Sequence, residues 1–377
     1  IMKNKDEDNI IKKMIIFGEN NMKICYFGIY RPDFGRNKTY IDGLKQNDIE
    51  IIECRDTSRG FLKFLKLFWK HRKIRNNYDY LIVGYPGHIV VWLAKLISKR
   101  PVIFDALCTL YEGEILSRNL YKYNLFMKAW VLFIDWLAVK CADLILVESE
   151  AQKKYFVDRF NLPDEKVVRI FTGADEEIFF NDLEIKKRAK FTVLFRGRFL
   201  PEAGIEHVVQ AAKLLENDDV DFLIIGGGVV EKEIGLLIQS LKPNNLEWIN
   251  QYLPTNELRE KMLECHVSLG QFENHIRLQR TIPHKAFESL LMGLPYITGK
   301  NMAISELLTD RENCLMVSNA DPQDLAEKIL ELKNDKNLIQ KIANNGRRLY
   351  EEKLSSIKLG RDIILAIKEL SYIMTYK

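Results

Sequence analysis

The chain has 377 residues, 47% hydrophobic and 29% charged, which favours two domains over one and a globular protein able to fold without staples. Its 56 basic and 52 acidic residues leave a formal charge of +4, too mild a balance for wholesale nucleic-acid binding. The six cysteines include no C-x-x-C pair, which argues against a zinc site or disulfide framework and for a reducing compartment, and no apolar run approaches the ~20 residues of a membrane span.

Residues 1–21 are rich in Lys, Asn and Asp and read as a flexible N-terminal extension, with Met22 the expected start of the folded, functional chain. No signal-peptide core precedes it, so the expected location is the cytoplasm, extending to the inner face of the cytoplasmic membrane. Six apolar runs then alternate with helical segments: KICYFGI, IEIIEC, YLIVGY, PVIFDA, DLILVES and VVRIF. The polar stretch Asn181 to Lys190 lacks apolar periodicity and reads as an interdomain linker. Beyond it come FTVLFRG, DFLIIGG, LEWINQY, VSLGQF, PYITG and CLMV, and after Leu325 the pattern is helical to the end. This alternation predicts an α/β chain with two doubly wound parallel sheets, one in 22–184 and one in 185–355.

In such sheets ligands bind outside the carboxyl ends of the strands. Three loops of the first half are expected to meet there: FGIYRPDFGRNKTYIDGL with Gly28, Arg36 and Asn37; VGYPGHIVVWLA with His88; and IFDALCTLYEGE with Asp105 and Glu112. His88 reads equally as a helix-start histidine bonded to backbone, and Asp105 as a helix N-cap. Ser58 to Arg75 places Phe61, Leu62, Leu65, Phe68 and Trp69 at helical spacing with Lys63, Lys66, Lys70, Arg72, Lys73 and Arg75 around them. That pattern suits an interfacial helix on anionic lipid, or an ordinary packed helix with solvated lysines. The aromatic segment Leu120 to Trp136, with Tyr121 and Tyr123, is expected to be core.

In the second half, FRGRFLPEAG is a strand, a glycine turn and a helix start. A guanidinium at Arg198 can contact phosphate oxygens in pairs, whereas Arg196 reads as a strand residue. GGGVVEKEI lacks the spacing of a dinucleotide fingerprint, so Gly227 is either a structural turn or a nucleotide contact. From Arg280 to Leu308, Pro283 opens a helix, Gly293 and Pro295 stop it, Tyr296 to Thr298 is a buried strand, and Gly299 with Lys300 precedes another helix start. Glu288 therefore projects beside a strand end, and backbone N–H groups after Gly299 offer an anion site.

This last segment, with ADLILVESEAQKKYFVDRFNLPDEKVVRIFTGADEEIF and FRGRFLPEAGIEHVVQAAKLL, resembles the retaining glycosyltransferases of family 4, in a branch carrying I-P-x-K-x-x-E, here IPHKAFE. The resemblance runs from about Met22 to Leu330 and implies the GT-B fold, two facing Rossmann-like domains with a cleft between them, and a final helix, 356–377, crossing back to the first. It implies that Glu288 grips the donor ribose and that Gly197 and Arg198 hold the donor diphosphate. Three departures stand out: Ala203 replaces a diphosphate-binding Lys, Arg280 stands where the first Glu of the usual pair contacts the sugar, and no His follows Asp105. Lys285 or Arg280 can supply the missing charge, and His88 the missing imidazole. The implied activity is sugar transfer with retention from UDP- or GDP-sugar to a glycan or lipid-linked acceptor, as in surface-glycan assembly, without cofactor or metal. Two other readings stay open, a sugar-nucleotide epimerase of the same fold and a catalytically degenerate binding or scaffold subunit.

Overall fold

A computed structural model describes residues 22–118, 120 and 124–376. The expected flexible extension, and Tyr121 and Tyr123 of the aromatic segment, lie outside the described residues. The first sheet holds β1 (Lys23–Gly28), β2 (Glu50–Arg55), β3 (Tyr80–Val83), β4 (Val102–Leu107), β5 (Leu144–Val147) and β6 (Val167–Arg169), in the order β2-β1-β3-β4-β5-β6, all parallel. Every residue of β4 and β5 is buried, the mark of strands covered on both faces. Between the strands run α1 (Gly35–Gln46), α2 (Leu62–Ile74), α3 (Val91–Ile97), α4 (Leu125–Cys141) and α5 (Glu150–Phe160). Right-handed crossovers put α2 to α5 on one face and α1 on the other, and α3 packs against both α2 and α4. Asn124 and Ser149 cap α4 and α5 by accepting from Met127 N and Gln152 N.

The second sheet holds β7 (Phe191–Arg196), β8 (Val220–Ile225), β9 (Leu246–Ile249), β10 (Val267–Leu269), β11 (Tyr296–Gly299) and β12 (Leu315–Val317). Its order, β12-β11-β10-β7-β8-β9, reverses direction between β7 and β10. Its helices are α6 (Ile205–Leu214), α7 (Glu231–Leu241), α8 (Thr255–Glu264), α9 (His284–Leu291), α10 (Met302–Leu307), α11 (Pro322–Asn334) and α12 (Lys336–Lys353). Residues 170–190 form no strand or helix, and Arg188 N and Lys187 Nζ donate to carbonyls of Glu264 and Cys265 in the second domain.

The last helix, α13 (Ser356–Tyr376), returns to the first domain and crosses α1 at two glycines. A Cβ on Gly43 would collide with the Ser356 carbonyl, and one on Gly360 with the Gly43 carbonyl. Asn47 Nδ2 donates to Ile357 O at 2.9 Å beside this crossing. One apolar cluster, including Tyr40, Ile170, Phe287, Tyr350 and Ile363, runs through both domains. Polar bolts reinforce it: Ser149 Oγ donates to Arg280 O at 2.7 Å, and Glu306 accepts from Glu150 N and Ala151 N at the start of α5. The two sheets thus face each other with their carboxyl edges inward.

Candidate functional site

The second domain builds its site where the strand order reverses. β7 ends in Arg196, and the chain turns at Gly197 with φ +117, a conformation that L side chains rarely adopt. Arg198 follows, exposed and without an ion pair among the described residues. Across from it, α9 begins after Pro283 and places Lys285 and Glu288, three residues apart, on one helical face. Glu288 is ion-paired with Arg196. The Lys285 stem passes beside Gly197, its Nζ donates to Gly270 O at 3.1 Å and lies 3.5 Å from the centroid of the Phe195 ring.

These groups line a cavity of about 250 Å³ between the domains. The first domain contributes Leu107, Cys108 and Glu148, and the second adds Arg277 and His284. Glu148 accepts from Thr172 Oγ1 at 2.8 Å and from Ile282 N across the interface at 3.2 Å; burial raises its pKa against the pull of Arg36. Arg277 is paired with Glu202 at 2.6 Å, and Glu202 also accepts from Ser117 Oγ of the first domain. Burial holds the Lys285 ammonium well below its ordinary pKa, with Arg196 adding to the shift. It lowers Arg196 to about 10 and His284 to about 4. With Arg196 and Arg277 matched by carboxylates, Arg198 and Lys285 face the space without a carboxylate partner among the described residues, and a doubly charged anion there would favour the protonated form of Lys285.

Of the residues singled out in the sequence, the structure brings Gly197, Arg198, Lys285 and Glu288 to this cavity. It places the others elsewhere. Arg280 is not a free cation: its Nη2 lies 2.8 Å from Glu112 Oε1 and its guanidinium covers the Tyr155 ring, so both Arg280 and Glu112 serve the interdomain seam. Arg36 and Asp105 form a fully buried pair at 2.8 Å, Arg36 also donating to Ile170 O and Thr172 Oγ1, so Asp105 is no helix cap. Asn37 spends its amide on Arg31 O and Tyr85 O and accepts from Tyr26 Oη and Tyr85 N, clamping the loop of Gly28 instead of a ligand. His88 Nε2 bonds to Cys108 O at 2.8 Å, the backbone-bonded alternative. Gly227 O accepts from Phe199 N and Tyr252 Oη, and Gly227 is not among the residues lining the cavity. Gly299 N and Lys300 N donate to Gln271 O and Val317 O, and Asn301 caps α10, so those donors are already used.

Arg196, Arg277 and Glu148 were not anticipated as site residues. Arg196 precedes the glycine turn at the strand end, a position that could have flagged it; Arg277 and Glu148 carry no local signal. A wider polar depression of about 380 Å³ at Lys190, Asn217 and Asn245 lies at the amino edge of the second sheet, away from these groups.

Two facing doubly wound domains with a cationic cavity between them define the GT-B architecture. Residues 175–349 match the family model described as glycosyl transferases group 1. The chain is 25% identical over 343 residues to the capsular polysaccharide biosynthesis glycosyltransferase CapM of Staphylococcus aureus, covering 83% of each chain. It is 26% identical over 274 residues to an uncharacterized glycosyltransferase of Methanocaldococcus jannaschii, covering 72% of this chain and 71% of that one. Among solved structures, Anabaena HepE in complex with UDP-glucose superposes with a TM-score of 0.69 at 17% identity, covering 93% of this chain and all of the other. Sucrose-phosphate synthase of Thermosynechococcus elongatus gives 0.71 at 14%, covering 94% and 100%. The fold is GT-B, and residues 175–349 are similar to glycosyl transferases group 1.

Proposed function

We propose that the protein transfers a sugar from UDP- or GDP-sugar to a glycan or lipid-linked acceptor in surface-glycan assembly, with retention of anomeric configuration and without a metal or other cofactor, at the cytoplasmic face of the membrane. The observation that carries this reading is the convergence of Arg198, Lys285 and Glu288 on one cavity between the domains. The two cations suit the donor diphosphate, and Glu288 suits the ribose hydroxyls once Arg196 turns to the phosphates. In the reaction the acceptor oxygen bonds to the sugar C1 as the C1–O bond to the diphosphate breaks, and a phosphate oxygen takes the acceptor proton. The protein's contribution is electrostatic: Arg198 and Lys285 stabilise charge growing on the leaving group. His88 and Asp105, both buried outside the cavity lining, give an epimerase no acid-base pair.

The test is thermal stabilisation by UDP, GDP, ADP and CMP beside their nucleosides. One nucleoside diphosphate is expected to shift the midpoint selectively, a ligand at a hundred times its Kd adding roughly 2.7 kcal/mol. Arg198→Ala should reduce the diphosphate shift more than the nucleoside shift, and Glu288→Ala should reduce both. No shift with any nucleotide would move the reading to a degenerate scaffold.

A further inference from the structure

The first domain carries a large apolar surface that nothing among the described residues covers. On α4 the residues Phe126, Trp130, Phe133 and Trp136 recur every three or four positions and all point outward, with Phe126 77% and Leu125 79% exposed. Their rings form a ladder, Trp130 to Phe133 at 5.8 Å and Phe133 to Trp136 at 6.0 Å. The same face continues through Leu96 of α3 to Leu62, Leu65 and Trp69 of α2, and Phe64 of α2 meets Trp92 of α3 at 5.9 Å. The outer face of the segment expected to be core is therefore surface, and the segment read as either interfacial or ordinarily packed is one edge of a three-helix patch.

The exposed charged residues on these three helices are of one sign. Between Phe61 and Asn77 there is no Asp or Glu, and Lys66, Arg72, Lys73 and Arg75 are exposed beside the apolar stripe, while Lys70 is paired with Asp56 at 2.9 Å. Along α4 the one acid, Asp135, is buried and accepts from Leu110 N and Tyr111 N. Aromatics flanked by lysines, without acids, match the headgroup boundary of an anionic bilayer. Because each helix follows a strand of a parallel sheet, Phe61, Leu62, Leu125 and Phe126 sit at the helix starts, on the cleft side of the domain.

We infer that the outer face of α2, α3 and α4 docks on an anionic lipid bilayer, with the α4 ladder inserted at the headgroup boundary and the α2 cations meeting lipid phosphates. The cleft then opens beside the membrane surface. This inference goes beyond the transferase reading and does not depend on it, since lipid binding needs no donor.

The experiment is co-sedimentation with vesicles of phosphatidylcholine alone or with phosphatidylglycerol, while tryptophan fluorescence is recorded. The protein should bind the anionic vesicles, with a blue shift from Trp130 and Trp136, and bind phosphatidylcholine at least about tenfold more weakly. The triple substitution Lys66→Glu, Arg72→Glu and Lys73→Glu should weaken binding by about a hundredfold or more. Phe126→Ser with Trp130→Ser and Phe133→Ser should abolish binding at low and high salt; all these positions are exposed or on the outer face, and an unchanged unfolding midpoint checks that the fold survives. Absence of vesicle binding by the unaltered protein overturns the inference, as does binding indifferent to lipid charge and to the lysines. A dimer in solution that the serine variant dissolves, with no vesicle binding, would instead assign the face to a second copy of the chain.

Discussion

Lys285 has no carboxylate partner among the described residues, and its burial and the neighbouring Arg196 both disfavour its charge. A diphosphate entering the cavity reverses that balance, so binding should draw a proton onto Nζ. The sign follows: nucleoside diphosphate affinity should fall as pH rises through the lowered titration range of Lys285. Calorimetry in buffers of different ionisation heat should register proton uptake, and Lys285→Met should abolish it while weakening binding; uptake that persists in the variant would place the proton elsewhere. At this scale the sequence was informative where punctuation fixed an element's end. Gly197 fixed Arg198, and Pro283 with Gly293 fixed the face carrying Glu288. Arg196 escaped because a residue on a doubly covered strand points to either face, and its partner is 92 positions away. Arg280 was misplaced for the same reason, its partner Glu112 lying 168 positions off.

Among the elements, the crossing of α1 and α13 rests on two glycines in contact through their backbones. Gly43→Val would push a branched side chain into the Ser356 carbonyl, where no flexible neighbour can yield. A loss of at least about 1–3 kcal/mol is expected from overpacking, measurable by denaturant unfolding. A substitution at the exposed Gly60, where an added Cβ has open space, should cost less than Gly43→Val even though Gly60 has φ +67. The strands and most helices were legible because apolar runs of four to six residues alternate with amphipathic ones. The outer face of α4 was not, since a helix apolar on every side carries no mark of which side meets protein. Likewise nothing local to Gly43 announces that Gly360 will lie against it.

For the molecule as a whole, the closed arrangement depends on polar contacts that bridge the domains: Arg280 to Glu112, Ser117 to Glu202, Ile282 N to Glu148, and Glu306 to the start of α5. Glu112 is fully buried, so Arg280→Ala leaves a carboxylate with Thr109 and Gln152 as its remaining partners among the described residues. Breaking a buried pair from one side typically costs 3–5 kcal/mol, here expressed as lost stability or as separation of the domains. Small-angle scattering should report a larger radius of gyration, or unfolding a lower midpoint; neither change would mean that the seam is held by packing alone. Replacing both residues by methionine should recover much of the loss. The two-domain α/β plan was readable from the two sets of strand runs around Asn181 to Lys190, but the seam was not, because every contact in it joins residues distant in sequence.

The return of α13 also sets an order of assembly. The first domain is synthesised first, yet the face of α1 at Gly43 stays uncovered until the whole second domain and α13 have left the ribosome. Completion of the older half therefore waits on a helix made after the second domain, and a nascent protein stalled anywhere within that domain carries an open flank that chaperones can hold.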